Sequence, residues 1–168
     1  GGPRGIGALI LRRGTDIQAQ LKGGGQEQGR RAGTENVPGI VGLAKAMALA
    51  YEDLEAKNAK IKALRDYLID GIMTQIPYCR LNGHREQRLP NNVNISFEFI
   101  EGESLLLLLD MAGIAASSGS ACTSGSLDPS HVLLALGLPH EQAHGSIRFT
   151  LGEDNTREEM DQVLEKLP

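Results

Sequence analysis

Ala115-Ala-Ser-Ser-Gly-Ser-Ala-Cys-Thr-Ser-Gly-Ser126 places one cysteine, Cys122, in a run of residues with almost no side-chain bulk. Such a run builds no core, because its glycines relax the backbone and its hydroxyls compete with helix and sheet hydrogen bonding. It reads as a polar loop that carries a soft nucleophile and divides the second half of the chain into ordered pieces on either side. Two readings stand for it: a Ser/Gly linker with an incidental cysteine, or an arm that receives a group at one place and delivers it at another.

The flanks frame this loop tightly. Before it, Gly102-Glu-Ser-Leu-Leu-Leu-Leu-Leu-Asp110 leads from a turn residue into an apolar helix, expected over about Glu103–Met111. After it, Asp128 as N-cap and Pro129 at the first helical position open a helix that Gly137 closes. Working outward, Asn92-Val-Asn-Ile-Ser-Phe-Glu-Phe99 alternates, with Val93, Ile95, Phe97 and Phe99 on one face, as a half-buried strand does. Cys79-Arg-Leu81 and Gly145-Ser-Ile-Arg-Phe-Thr-Leu-Gly152 read as further strands, and Thr156-Arg-Glu-Glu159 as the capping box of a last helix ending near Leu167.

The first half has another texture. Gly7-Ala-Leu-Ile-Leu-Arg12 is a strand candidate, and Lys22–Asn36 is too rich in glycine and charge for a helix or a buried strand. From Val37, apolar residues recur at helical spacing: Ile40, Leu43, Ala44, Met47, Ala48 and Tyr51, then Leu54, Ile61, Leu64, Leu68, Ile72 and Ile76. One long helix, or two nearly coaxial ones, is expected from about Pro38 to Ile76. The organisation follows: residues 1–36 as the terminal part of a larger domain, 37–76 as a connecting helix, and 77–168 as a compact α+β unit.

The chain of 168 residues, with 40% hydrophobic residues and a net charge of −4, is long enough for a core of ordinary α/β type. No apolar run approaches the roughly 20 residues of a membrane span, and no signal-peptide pattern appears. Cys79 and Cys122 give neither a disulfide framework nor zinc spacing, so no metal site is expected and a cytoplasmic location fits best. No basic stripe or aromatic platform points to nucleic acid.

Two further features resemble ligand chemistry. Gly23-Gly-Gly…Arg30-Arg31-Ala-Gly-Thr34 combines close backbone approach, cations and a hydroxyl, the elements of a phosphate site. It is neither a Walker loop nor a dinucleotide fingerprint, and a solvated loop is the plainer reading. Arg148 interrupts an apolar strand and faces away from Ile147 and Phe149. It suits an internal salt bridge with Asp110, Asp128 or Glu153, or a clamp on a substrate carboxylate.

Gly2–Leu9, Gly23–Asn36, Ser117–Val132 and His144–Phe149 stand in order as four motifs. Together they resemble the C-terminal portion of pyridoxal-phosphate-dependent cysteine desulfurases of the NifS/IscS type, with wording nearer the NifS branch, and the resemblance covers essentially the whole chain. It implies an α/β fold-type-I transferase, of which this chain is the end of the large domain plus the small C-terminal domain. It also implies that Cys122 attacks the sulfur of L-cysteine, leaving a persulfide and L-alanine, and passes the sulfur to an iron–sulfur scaffold protein. Arg148 would hold the substrate carboxylate. Thr34 would hold the pyridoxal 5'-phosphate phosphate of the neighbouring subunit, which makes the enzyme a homodimer. The motif gives His131 no definite role.

Two departures from the family pattern stand out. Gln28 replaces the usual arginine of the Gln-Glu-Arg-Gly segment. The Schiff-base lysine of the family would fall about two residues ahead of Gly1, so the chain alone is expected to be inactive; Lys22 and Lys45 are not credible replacements. The alternatives are a stand-alone persulfide carrier, or a relative such as a selenocysteine lyase.

Overall fold

A computed structural model describes residues 2–118 and 129–167. The chain divides into two compact units, Gly1–Leu54 and Glu55–Pro168.

In the first unit, the expected strand at Gly7–Arg12 does not form; this stretch is extended chain, with Ile10 93% exposed. A strand is held by its ladder, and among the described residues of the unit no second segment pairs with it. The following segment holds one short 3-10 turn, Gln26–Gly29, in which Glu27 and Gln28 take left-handed backbone angles. Helix α1, Val37–Tyr51, begins where Asn36 accepts a hydrogen bond from the Gly39 amide, with Pro38 in the first turn. The helical spacing is confirmed, but Ile40, Met47 and Tyr51 are exposed rather than buried.

Of the two expectations for the run to Ile76, one long helix or two, the chain forms two. Helix α1 ends before Asp53, whose positive φ of 53° breaks the hydrogen-bond ladder, and α2 runs Leu54–Gln75. The rest of the second unit contains β1 (Cys79–Leu81), β2 (Asn92–Phe97), α3 (Gly102–Met111), β3 (Ser117–Ser118), α4 (His131–Ala135), α5 (His140–His144), β4 (Ser146–Thr150) and α6 (Arg157–Lys166). The four strands form one antiparallel sheet in the order β1-β2-β4-β3.

One face of this sheet is the core. Val93, Ile95, Phe97, Ile147 and Phe149 pack with Leu68, Ile69 and Ile72 of α2, Leu105 and Leu109 of α3, and Met160, Val163 and Leu164 of α6. Helices α2 and α6 meet closely at Gly71, where a Cβ would come within 2.5 Å of a Leu164 methyl. The capping box of α6 is present: Thr156 Oγ1 accepts from the Glu159 amide, and the Glu159 carboxylate accepts from the Thr156 amide.

Two expectations need correction. Phe99 does not extend the β2 alternation, because the strand ends at Phe97 and Phe99 takes a positive φ of 65° in a turn that exposes its ring. Helix α4 starts at His131, with Ser130 as its N-cap, so Pro129 precedes the helix instead of opening it. The proposed cap Asp128 lies outside the described residues. Helix α5 and the two-residue β3 were not expected; both are too short to leave a periodic signal.

Candidate active site

The sheet's second face is polar because strand alternation sends every other side chain away from the core. Its central row is Asn94 on β2, Arg148 on β4 and Ser117 on β3, paired residue by residue across the three strands. Arg148 is exposed there, while its neighbours Ile147 and Phe149 are buried on the other side. The salt-bridge expectation fails for two of its three partners. Glu153 instead pairs with Lys57 at 3.3 Å, and Asp110 forms no ion pair with Arg148. The third, Asp128, is outside the described residues.

Asn94 is held from behind. Buried Asn82 donates its side-chain amide to Asn94 Oδ1 at 2.7 Å and to Ser96 Oγ at 2.9 Å. With its oxygen engaged, Asn94 is left with its amide N–H groups for other partners on the face that carries Arg148. Sequence reading passed over Asn94 and Ser117. The signal was available, since the same alternation that buries Val93 and Ile95 places Asn94 beside Arg148 in any antiparallel pairing with this register.

Of the two cysteines, Cys122 is among the residues not described, and so is most of the segment quoted first. Cys79 is accounted for: its thiol lies 3.1 Å from the Ile76 carbonyl, against Met73, and burial pushes its pKa up. A protonated thiol so placed is a poor nucleophile near neutral pH.

Thr34 is exposed in the first unit, beside a loop whose shape is set by internal bonds. The Gly33 amide donates to Gln26 Oε1 at 3.1 Å, and Arg30 Nη1 donates to Gln28 Oε1 at 3.0 Å. Gln28 thus binds the neighbouring cation. An anion fits this loop, which presents a threonine hydroxyl and exposed Arg30 and Arg31, neither paired with a carboxylate among the described residues. The fit to a pyridoxal group is therefore through its phosphate. The chain's lysines stand on helix faces or in the polar loop: Lys22, Lys45 and Lys62 are exposed, Lys57 and Lys60 engage Glu153, and Lys166 engages Glu165.

A shallow groove of about 430 Å³ lies along α3, lined by Glu103, Leu106, Leu107, Asp110 and residues 114–116. His131 is exposed at the start of α4. No described helix is long and apolar enough to cross a membrane.

Residues 1–163 match the family described as aminotransferase class-V. The chain belongs to the class-V aminotransferase family. Curated relatives include the cysteine desulfurase IscS of Methanosarcina thermophila, 60% identical over 167 residues, which cover 99% of this chain and 41% of that protein. The cysteine desulfurase NifS of Azotobacter vinelandii is 52% identical over 166 residues, with 99% and 41% coverage. The class-V chain therefore spans about two fifths of the length of these relatives. Among solved structures, a NifS-like protein superposes with a TM-score of 0.83 at 39% identity, covering 99% of this chain and 42% of that one. A second, described as SspA in complex with cysteine, gives 0.62 at 28% identity, covering 92% and 42%. The α/β, fold-type-I expectation is met by these neighbours, and the relatives carry both the IscS and the NifS names.

Proposed function

We propose that this chain supplies the sulfur-accepting and carboxylate-binding part of a cysteine desulfurase. The observation that carries the reading is Arg148, an exposed guanidinium between Asn94 and Ser117 on the polar face of the sheet. A planar guanidinium with no acceptor among the described residues matches an α-carboxylate, and the flanking amide and hydroxyl add donors for the same ligand. Ser117 precedes Cys122 by five residues, a length of chain that spans at most about 18 Å.

Thr34 of the neighbouring subunit would hold pyridoxal phosphate through its phosphate, and the bound cofactor would supply the electron sink that lets the Cβ–S bond of cysteine break. Arg148 fixes the substrate by its carboxylate. The Cys122 thiolate forms an S–S bond to the substrate sulfur as the Cβ–S bond breaks. The bonding pair stays on carbon, which takes up a proton to leave as alanine. Sulfur then remains on Cys122 as a persulfide for an acceptor such as an iron–sulfur scaffold protein. In this reading residues 1–36 close the large cofactor domain, residues 77–168 form the small one, and the enzyme is a cytoplasmic homodimer.

The whole protein that carries this chain is expected to release alanine and transferable sulfur from L-cysteine in equal amounts. Alanine without sulfur on the protein would refute the role given to Cys122. The isolated 168-residue chain, given pyridoxal phosphate, is expected not to turn over, because its lysines stand on helix faces and in the polar loop.

A further inference from the structure

Asn82 follows the last residue of β1 and keeps to the sheet for one residue more. Its backbone amide donates to the Asn94 carbonyl at 2.9 Å, which carries the β1–β2 ladder past the Leu81–Ile95 pair. The chain turns away at Gly83, whose φ of +80° suits a residue without a Cβ. Asn82 itself is buried, and its side-chain amide donates to Asn94 Oδ1 at 2.7 Å and to Ser96 Oγ at 2.9 Å.

One residue therefore grips Asn94 at two points, its backbone carbonyl and its side-chain oxygen. A terminal amide has two nearly equivalent settings that exchange its oxygen and its nitrogen. The bond from Asn82 selects the setting with Oδ1 toward Asn82 and Nδ2 away from it. The choice matters because Asn94 is only half-buried and pairs with Arg148 across the β2–β4 ladder. A guanidinium has donors alone. With its N–H groups outward Asn94 adds donors to that row, and turned over it would add an acceptor. A carboxylate offers acceptors alone, whereas a carboxamide brings N–H donors of its own.

Resting on the reading of Arg148 as the carboxylate clamp, we propose that Asn82 is a positioning residue. It sets the polarity of Asn94 and so makes the seat selective for a free α-carboxylate over an α-carboxamide. Asn82 touches no ligand; it acts through Asn94, whose side-chain N–H joins Arg148 on the carboxylate.

The test is calorimetric titration of the whole protein that carries this chain with L-alanine and with L-alaninamide, which requires no turnover. The two ligands differ only in carboxylate against carboxamide. Asn82→Asp keeps the shape of the side chain and can accept from both Asn94 and Ser96, so both contacts survive with their polarity reversed. Asn94 then turns its oxygen toward the ligand. The preference for alanine over alaninamide should fall by about tenfold, the worth of one hydrogen bond. In an Asn94→Ala background the same substitution should change the preference no further, because its effect runs through Asn94. Asn94→Ala alone, at a half-buried position, should lower the preference while leaving the fold intact by circular dichroism. Arg148→Ala is measured beside these and should weaken alanine more than alaninamide. If it does not, the carboxylate reading of the site fails and takes this inference with it. If it does, an unchanged preference in Asn82→Asp, or a changed one that persists without Asn94, overturns the inference alone.

Discussion

Ser117 of β3 lies in register beside Arg148 of β4, so the strand that leads into the Cys122 segment borders the guanidinium assigned to the substrate carboxylate. On the proposed assignment, the chain that leads to Cys122 sets out from a position paired with Arg148. Arg148→Ala in the whole protein is expected to raise KM for L-cysteine by at least about 30-fold, equivalent to about 2 kcal/mol, while leaving the fold intact. Arg148→Lys should recover little of this, because a point charge does not reproduce a bidentate fork. Steady-state kinetics with circular dichroism would check both variants.

The two thiols should differ sharply in reactivity. Cys79 is half-buried against the Ile76 carbonyl and Met73, with its pKa raised by burial. Brief alkylation near neutral pH, followed by peptide mapping, is expected to mark Cys122 and spare Cys79. Cys79→Ala should leave sulfur transfer unchanged. Preferential labelling at Cys79 would contradict the assignment.

Gly145 is a packing requirement. Its carbonyl accepts from the Phe97 amide at 2.9 Å, and a Cβ here would run into the Phe97 carbonyl and stand 2.9 Å from that of Ile100. Both obstacles are backbone and neither yields easily. Gly145→Ala is expected to cost about 3 kcal/mol, seen as a lower denaturation midpoint.

The α6 cap gives the fold an acid-sensitive element. The Asn155 side chain, then the Thr156 amide, hold the Glu159 carboxyl below its ordinary value of 4.5. A folded-state pKa below the unfolded one means that the contribution is complete above that ordinary value and is lost as pH falls through the folded pKa. Glu159→Gln should therefore lower the unfolding temperature near neutral pH. The gap to the wild type should close below pH 4.5. A gap that stays constant with pH would mean that the carboxylate charge is not involved.

Much of this fold was legible because local signals agreed with one another. Val93, Ile95 and Phe97 alternate, Thr156 and Glu159 sit three apart, and Leu105 and Leu109 recur at helical spacing; each produced the element it suggested. The failures share a physical cause. Gly7–Arg12 has strand composition but no ladder in its unit, and the period from Val37 left one helix or two open until the backbone angle at Asp53 divided the run. Periodicity carries neither kind of information.

The candidate site was legible in a different way. Arg148 stood out as a charge in an apolar strand, yet the strand pattern did not say which carboxylates would lie elsewhere, as Glu153 does with Lys57. Asn94 and Ser117 join Arg148 only through strand register, which no single segment encodes.

The central claim is that sulfur from L-cysteine comes to rest on Cys122. The most direct test is a single turnover of the whole protein with L-cysteine, followed by trapping with an alkylating agent and mass mapping of its peptides. The account predicts one extra sulfur on the peptide that contains Cys122, none on the peptide with Cys79, and loss of the signal in Cys122→Ser while bound cofactor is retained. Sulfur found elsewhere, or free sulfide released at full rate by Cys122→Ser, would contradict it.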